Sequence, residues 1–196
     1  MSGVGAVILA AGLSTRMGRP KPMLVWRGRT LLSRAVDAAL AGGFEPVAAV
    51  INDSPEPAAE LAREFPHVHA VVNPDAARGI GTSIRRGIAA LQVVDPNIAA
   101  SAILLADQPL ITGATLSELL LHYRTAGKLV IASDFGGAIG PPLIVSGALF
   151  EKLLALPDDR GAAAIWKQNP DWVGHFSCPD AAADVDTQED FEKLGG

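Results

Sequence analysis

The run Leu9-Ala10-Ala11-Gly12-Leu13-Ser14-Thr15-Arg16-Met17-Gly18-Arg19-Pro20-Lys21 joins small residues to three cations. Alanine, glycine, serine and threonine leave a backbone that a ligand can approach closely. N–H groups exposed in such a turn make an anion-binding concavity. Arg16, Arg19 and Lys21 can add charge-assisted hydrogen bonds to phosphate oxygens. The pattern suits the cradle of a nucleoside triphosphate; it also suits an ordinary strand-to-helix loop with surface cations. It is not a Walker loop, because Gly12 and Gly18 stand one residue too far apart and Arg19 follows. Nor is it a dinucleotide fingerprint: Gly3-Val4-Gly5 precedes the strand and no third glycine follows in register.

Carboxylates supply the complementary chemistry. The apolar run Ala102–Ala106 ends in Asp107-Gln108-Pro109. Ligands of open α/β sheets gather beyond the carboxyl ends of strands, so Asp107 is a candidate metal ligand or else the cap of the next turn. Asp184 and Asp186 lie two apart, on the same side of an extended segment, and by themselves read as a solvated helix start. Gly79-Ile80-Gly81-Thr82-Ser83 opens a helix with glycines and hydroxyls, which is either a second anion or polar-ligand site or a plain N-cap. His67, His69, His122 and His175 show no metal-ligand spacing apart from His67-x-His69, which reads as the start of a strand.

These groups need a scaffold. Val4–Leu9 reads as a buried strand. Thr30–Leu40 is an amphipathic helix with Leu31, Leu32, Ala35, Val36, Ala39 and Leu40 on one face, capped by Thr30 and ended by Gly42-Gly43. Strands are predicted at Val47–Ile51, His69–Val72, Ala102–Ala106, Leu129–Ala132, Leu143–Val145 and Trp172–Phe176. Helices are predicted at Ala58–Phe65, from Gly79 to about Leu91, and at Thr112–Thr125, Ser146–Leu156 and Asp159–Lys167, with a last one capped by Thr187. Asn52–Pro57 reads as a turn, and the glycine-rich Asp134–Pro142 as a break in rhythm. The alternation implies a three-layer, mostly parallel α/β sheet of Rossmann-like type. Right-handed crossovers then bring the Leu9–Lys21 loop and Asp107 to one sheet edge.

Composition narrows the classes. The 196 residues suggest one domain, and 49% hydrophobic residues suffice for a sizeable core. A net charge of −5 argues against nucleic-acid or anionic-membrane binding, and a local basic patch in an acidic chain suits a small anionic ligand. A single cysteine, Cys178, excludes an internal disulfide and fits a reducing cytoplasm; it reads as a structural thiol. No signal peptide and no apolar run of membrane-spanning length is visible.

Taken in order, the motifs resemble a known family. They are Leu9-Ala10-Ala11-Gly12-x-Ser14-x-Arg16-Met17-Gly18-x-x-Lys21 with Leu24 and Gly28; Asn73-Pro74 with Gly79-x-Gly81-x-Ser83; Asp107-Gln108-Pro109; Gly137-x-x-Gly140-x-Pro142; Asp159-x-Gly161-Ala162; and Asp184-Val185-Asp186-Thr187. The chain resembles the MobA-like nucleotidyltransferases over nearly its whole length, and within them the molybdenum cofactor cytidylyltransferases most closely.

The resemblance implies a fold of the nucleotide-diphospho-sugar transferase type and Mg²⁺-dependent transfer of a nucleoside monophosphate with release of pyrophosphate. It implies that Leu9, Ala10, Ala11 and Gly12 hold the nucleotide, that Arg16 and Lys21 hold its phosphates, and that Asn73, Gly79, Gly81, Thr82 and Ser83 face the base. Asp107 would bind Mg²⁺ with Asp186 as second carboxylate. Ala10-Ala11-Gly12, where users of GTP tend to carry Ala-Gly-Gly, points to CTP. The expected acceptor is phosphorylated, molybdopterin or the molybdenum cofactor, with a molybdoenzyme or its chaperone as a further partner. Residues 1–110 would form the nucleotide-binding half and 111–196 the acceptor-side half of one domain. A phosphate acceptor is already ionised near neutrality and needs no general base. Phe135, Ile144 and Ala163 depart from the family pattern, all in the acceptor half. A sugar or polyol phosphate acceptor, GTP as donor, and a non-catalytic cofactor-handling protein remain open; a dinucleotide-dependent oxidoreductase fits poorly because the glycine spacing fails.

Overall fold

The structure, a computed structural model, describes residues 3–12, 20–185 and 187–195. A seven-stranded sheet runs through them. In chain order the elements are β1 (Val4–Ala10), the small hairpin β2 (Val25–Trp26) and β3 (Arg29–Thr30), α1 (Leu31–Ala41), β4 (Val47–Ile51), α2 (Pro55–Glu64), β5 (His69–Val72), α3 (Ile80–Val94), β6 (Ala100–Leu105), α4 (Gly113–Ala126), β7 (Val130–Asp134), β8 (Ile139–Ser146), α5 (Phe150–Leu154), β9 (Val173–Ser177) and α6 (Gln188–Lys193). The sheet order is β5-β4-β1-β6-β8-β7-β9. β8 runs antiparallel to both its neighbours, and the other pairings described within this sheet are parallel.

β1 is covered on both faces, as a central parallel strand must be. Its alternate residues enter different cores. Ala6, Ile8 and Ala10 pack with Leu32, Val36, Leu61 and Leu116 from α1, α2 and α4. Val7 packs with Ile84, Ile88 and Leu91 of α3 and with Leu153 of α5. The expected three layers are therefore present. A smaller cluster of Leu24, Trp26, Leu31, Val185 and Phe191 fastens the C-terminal segment to the β2–β3 hairpin.

The local signals work where they are self-contained. The Thr30 hydroxyl accepts the Ser33 N–H at 3.0 Å and starts α1. Thr187 and Asp190 form a capping box at the start of α6. α2 begins three residues earlier than the proline cluster suggests, because Pro55 occupies the first turn, where its missing N–H costs nothing.

The second half departs further from expectation. Asp134–Pro142 does not simply break the rhythm: it turns β7 back into β8, which extends well beyond the short strand expected at Leu143–Val145. The ladder slips between Ala132 and Ser133, so Leu143 and Gly140 pair while Pro141 and Pro142 bulge between them. The Ser133 hydroxyl donates to the Pro142 carbonyl at 2.6 Å. The expected helix at Asp159–Lys167 is a single 3₁₀ turn, Ala162–Ile165, and that at Ser146–Leu156 is a 3₁₀ turn followed by the short α5. Among the described residues no helix is long and apolar enough to cross a membrane.

Candidate active site

β1 and β6 lie side by side and parallel, with Leu9 opposite Leu105. The chain passes from β1 outward through β4 to β5 and then returns to β6 on the other flank of β1. The carboxyl ends of β1 and β6 therefore flank a topological switch point, the place where open α/β sheets bind ligands. A cavity of about 310 Å³ lies there. Leu9-Ala10-Ala11-Gly12 forms one wall, Leu105-Ala106-Asp107 the next, and Ala76, Ile80 and Ser83 a third. Lys21 and Pro22 complete it.

Lys21 reaches this cavity through a rigid approach. Pro20 and Pro22 flank it in a 3₁₀ turn, and Leu24 closes that turn by donating its N–H to the Lys21 carbonyl at 3.0 Å. Leu24 is buried in the small cluster with Trp26. Trp26 lies between the guanidinium groups of Arg27 and Arg34, each 4.3 Å from its ring centroid, and its indole N–H donates to the Leu194 carbonyl at 2.8 Å. From this base the Lys21 ammonium extends to within 2.9 Å of Asp107 Oδ2.

Asp107 is held from below. The Val185 N–H donates to the Asp107 carbonyl at 3.0 Å, so the C-terminal segment is anchored to the end of β6 immediately before Asp186. Gln108 stands in the sequence only as the middle of Asp107-Gln108-Pro109. Its buried amide donates to the Ala181 carbonyl at 2.8 Å and to the Pro141 carbonyl at 3.2 Å. It thereby joins the turn after β6 to the β8 bulge and to the C-terminal segment.

The loop leading to α3 divides its residues between tasks. Ser83 and Ile80 line the cavity. Asn73, 1% exposed, lies behind them: its amide donates to the hydroxyls of Thr82 at 2.9 Å and Ser83 at 2.8 Å, while its own carbonyl accepts the Asp75 N–H at 3.0 Å. Gly79, at φ +134°, and Gly81 sit against the segment 157–160; a Cβ on either would fall on the carbonyl oxygens of Asp158 and Pro157. That segment is clamped by Asp158, which accepts from Arg85 and from Arg78, the latter at 2.6 Å. The Arg85 hydrogen bond, aided by the charges of both arginines, holds the Asp158 carboxyl below its ordinary range.

The sequence-predicted residues thus fall into groups. Leu9, Ala10, Ala11, Gly12, Lys21, Ser83 and Asp107 share one cavity. Asn73 and Thr82 support it, and Gly79 and Gly81 make room for the 157–160 segment. Arg16 and Asp186 lie outside the described residues. Among the described residues no cluster of three or more His, Cys, Asp or Glu forms a ready-made metal site. The donor set nonetheless fits a hard cation that keeps most of its shell from water and phosphate: among the described residues the carboxylate of Asp107 faces the cavity and no thiol or imidazole lies on its walls. Cys178 is buried away from it, and burial raises its thiol pKa, as suits a structural residue.

Comparison with known proteins now decides the family. The model of the MobA-like NTP transferase domain matches residues 6–172. The chain belongs to the MobA-like NTP transferases. The match bears out the family resemblance carried by the ordered motifs from Leu9 to Thr187. Among its relatives, nicotine blue oxidoreductase of Paenarthrobacter nicotinovorans is 32% identical over 97% of this chain and 96% of that one. Molybdenum cofactor guanylyltransferase of Rhizobium meliloti is 33% identical over 67% of this chain, which spans 58% of that protein. Rv0371c of Mycobacterium tuberculosis H37Rv superimposes with a TM-score of 0.83 at 27% identity, covering 98% of this chain and 97% of that one. The structure of its manganese complex superimposes at 0.78, with 25% identity and the same coverage.

Proposed function

We propose that this nucleotidyltransferase moves CMP from CTP to a phosphorylated acceptor, molybdopterin or the molybdenum cofactor, with Mg²⁺, releasing pyrophosphate in the cytoplasm. The observation that carries the reading is the convergence of Lys21 and Asp107, 2.9 Å apart, on a cavity walled by Leu9–Gly12. Ala10-Ala11-Gly12 supports CTP as donor on the strength of the family resemblance. In this reading residues 1–110 serve the nucleotide and 111–196 the acceptor, and a molybdoenzyme or its chaperone receives the product.

Donor and acceptor are both anionic, so neutralising charge is the principal task of the site. An acceptor phosphate oxygen attacks the α-phosphorus in line; the new P–O bond forms as the bond to the β-phosphate oxygen breaks, and that electron pair leaves with pyrophosphate. The small side chains of Ala10, Ala11 and Gly12 admit the triphosphate close to the backbone. Lys21 turns from Asp107 to the phosphates and offsets the charge that develops on the leaving group. Asp107, with Asp186 as second carboxylate, would hold the cation, which when bound would supply Lewis-acid neutralisation of phosphate charge. Manganese in the complex of Rv0371c is in keeping with a divalent cation in this role.

Thermal unfolding with CTP, GTP, ATP and UTP in the presence of Mg²⁺ tests the donor, since a ligand that binds only the folded chain raises its apparent stability. Selective stabilisation by CTP is expected. Selective stabilisation by GTP, the donor implied by the name of the Rhizobium meliloti relative, would overturn the base assignment. Pyrophosphate release with CTP and molybdopterin tests the transfer itself.

A second reading has one observation in its favour: a relative that spans nearly the whole chain is named an oxidoreductase. On that reading the same cavity serves a redox reaction on a small molecule. Oxidation of a reduced nicotinamide cofactor without pyrophosphate release from any nucleoside triphosphate would favour it.

A further inference from the structure

Gln108, 6% exposed, reaches two carbonyls remote in the chain. Its Nε2 donates to the Ala181 carbonyl at 2.8 Å and to the Pro141 carbonyl at 3.2 Å. An amide nitrogen carries two donors, so both are engaged and the side chain is held against rotation. Both acceptors are carbonyls, which decides which end of the amide faces them. Each carbonyl lies where regular pairing stops. The β6–β8 pairing runs as far as Ile103 opposite Leu143, and the β7–β8 pairing passes from Leu143 to Gly140. Pro141 falls in that gap, and Ala181 belongs to a 3₁₀ turn, Pro179–Ala182. Gln108 thus continues with a side chain the connection of β6 to β8 that the ladder leaves off.

Asp107 and Gln108 together hold the segment 181–185 at both ends. The Val185 N–H donates to the Asp107 carbonyl, and the Ala181 carbonyl accepts from Gln108. A single hydrogen bond would let the segment pivot about it. Two, made by consecutive residues, fix its direction as well as its place. Ala181 and Val185 are both 0% exposed, so water does not stand in for either partner. A buried polar contact is costly to leave unmade, and when complete it makes what it joins rigid. The residue that follows Val185 is Asp186.

We propose that Gln108 is a positioning residue, which sets the direction in which the C-terminal segment carries Asp186 toward the cation shared with Asp107. The inference rests on the metal role proposed above for those two carboxylates. The main cavity is walled by Leu105, Ala106 and Asp107 and not by Gln108, so Gln108 acts through the segment and not on a ligand. A strut that served the fold alone would lower stability and leave metal affinity unchanged.

Gln108→Met keeps the length of the side chain and removes both donors. Mn²⁺ binding in the presence of CTP, read by electron paramagnetic resonance, is expected to weaken about tenfold, the scale on which supports of metal ligands act. CTP affinity without metal, read by calorimetry, is expected to stay within about twofold, as for a site with no shared partner. Leu61→Ala opens a cavity in the core under α2 and is the control for lost stability; its Mn²⁺ affinity is expected to stay within about twofold. A folded Gln108→Met chain that binds Mn²⁺ as tightly as the unmodified chain overturns the proposal. So does an equal weakening in Leu61→Ala. Hydrogen exchange in the unmodified chain needs no variant to fold: adding Mg²⁺ to the CTP-saturated chain is expected to slow the Val185 amide at least about threefold, and unchanged exchange overturns the proposal. An unmodified chain that holds no Mn²⁺ with CTP loses the metal reading and this proposal together. Tight Mn²⁺ binding that Gln108→Met leaves intact removes the proposal and keeps the metal reading.

Discussion

Lys21 Nζ lies 2.9 Å from Asp107 Oδ2, across 86 positions of sequence, on the wall of the main cavity. A cation approaching Asp107 meets a carboxylate already neutralised by an ammonium. Triphosphate offers that ammonium an alternative anion, so nucleotide and metal assist each other's entry. Lys21→Ala is expected to have two opposite effects. Turnover with CTP and Mg²⁺ falls by at least ~100-fold, the scale of losing one charge-stabilising donor. Mn²⁺ in the absence of nucleotide, followed by its electron paramagnetic resonance, binds more tightly than in the unmodified chain. Near-normal turnover with folding intact would remove Lys21 from the reaction.

Asp107→Ala addresses the other half of the pair. Metal-dependent pyrophosphate release is expected to disappear, while the fold persists because Asp107 holds the C-terminal segment through its backbone carbonyl and not its carboxylate. Titration of Mg²⁺ against activity checks this. A variant that still responds to the metal places the cation elsewhere.

Gly81→Ala tests the close approach between α3 and the segment 157–160. The added Cβ would fall on the Pro157 carbonyl oxygen, which is backbone and cannot swing away. The expected cost is about 2 kcal/mol for forced overpacking. For a chain of this size that corresponds to a fall of about 4–8 °C in Tm by calorimetry. An unchanged Tm would mean that the segment is free to shift.

Much of this arrangement could be read from the sequence wherever a signal is short in range. Val4–Leu9, the Thr30 cap, the Thr187 cap and the apolar run ending in Asp107 each depend on a few neighbouring residues, and each stands where it was expected. The placement of β8 between β6 and β7 depends on pairings remote in the chain, and Pro141-Pro142 concealed a strand that bulges around them. Gly79 and Gly81 advertised a ligand loop, yet their lack of side chains is used against Asp158 and Pro157, about which spacing says nothing. The reach of Gln108 was invisible for the same reason: Pro141 and Ala181 come to it only once β8 and the C-terminal segment are in place.

Asp158 supplies a dependence on pH. Hydrogen bonding from Arg85, with the charge of Arg78 beside it, keeps its carboxyl below the ordinary aspartate range in the folded chain. A depressed folded-state pKa contributes stability above the unfolded value of about 3.9 and loses it as the pH falls below that value toward the folded one. Urea unfolding between about pH 3 and 7 should therefore show an acid limb that is shallower in Asp158→Asn than in the unmodified chain, because the asparagine cannot be protonated in that range. Identical limbs would show that the two arginines stabilise the segment no more than solvent does.

Phe191 joins the C-terminal helix to the main cavity through packing. It is 5% exposed and lies with Leu24, Trp26, Leu31 and Val185 in the cluster that supports both the Lys21 turn and the strand end at Asp107. Phe191→Ala is expected to cost about 3 kcal/mol from the cavity it leaves. The more informative effect is local. Val185 would hold the Asp107 carbonyl less firmly, and Asp186 follows Val185 directly. In the presence of CTP, Mn²⁺ affinity should fall several-fold, on the scale by which the supports of metal ligands act, or about tenfold at most. CTP affinity measured without metal should change less, since Leu9–Gly12 and Ser83 do not touch this cluster. Equal losses in both titrations, in a chain that still unfolds cooperatively, would show that α6 supports the fold as a whole and does not set the carboxylates.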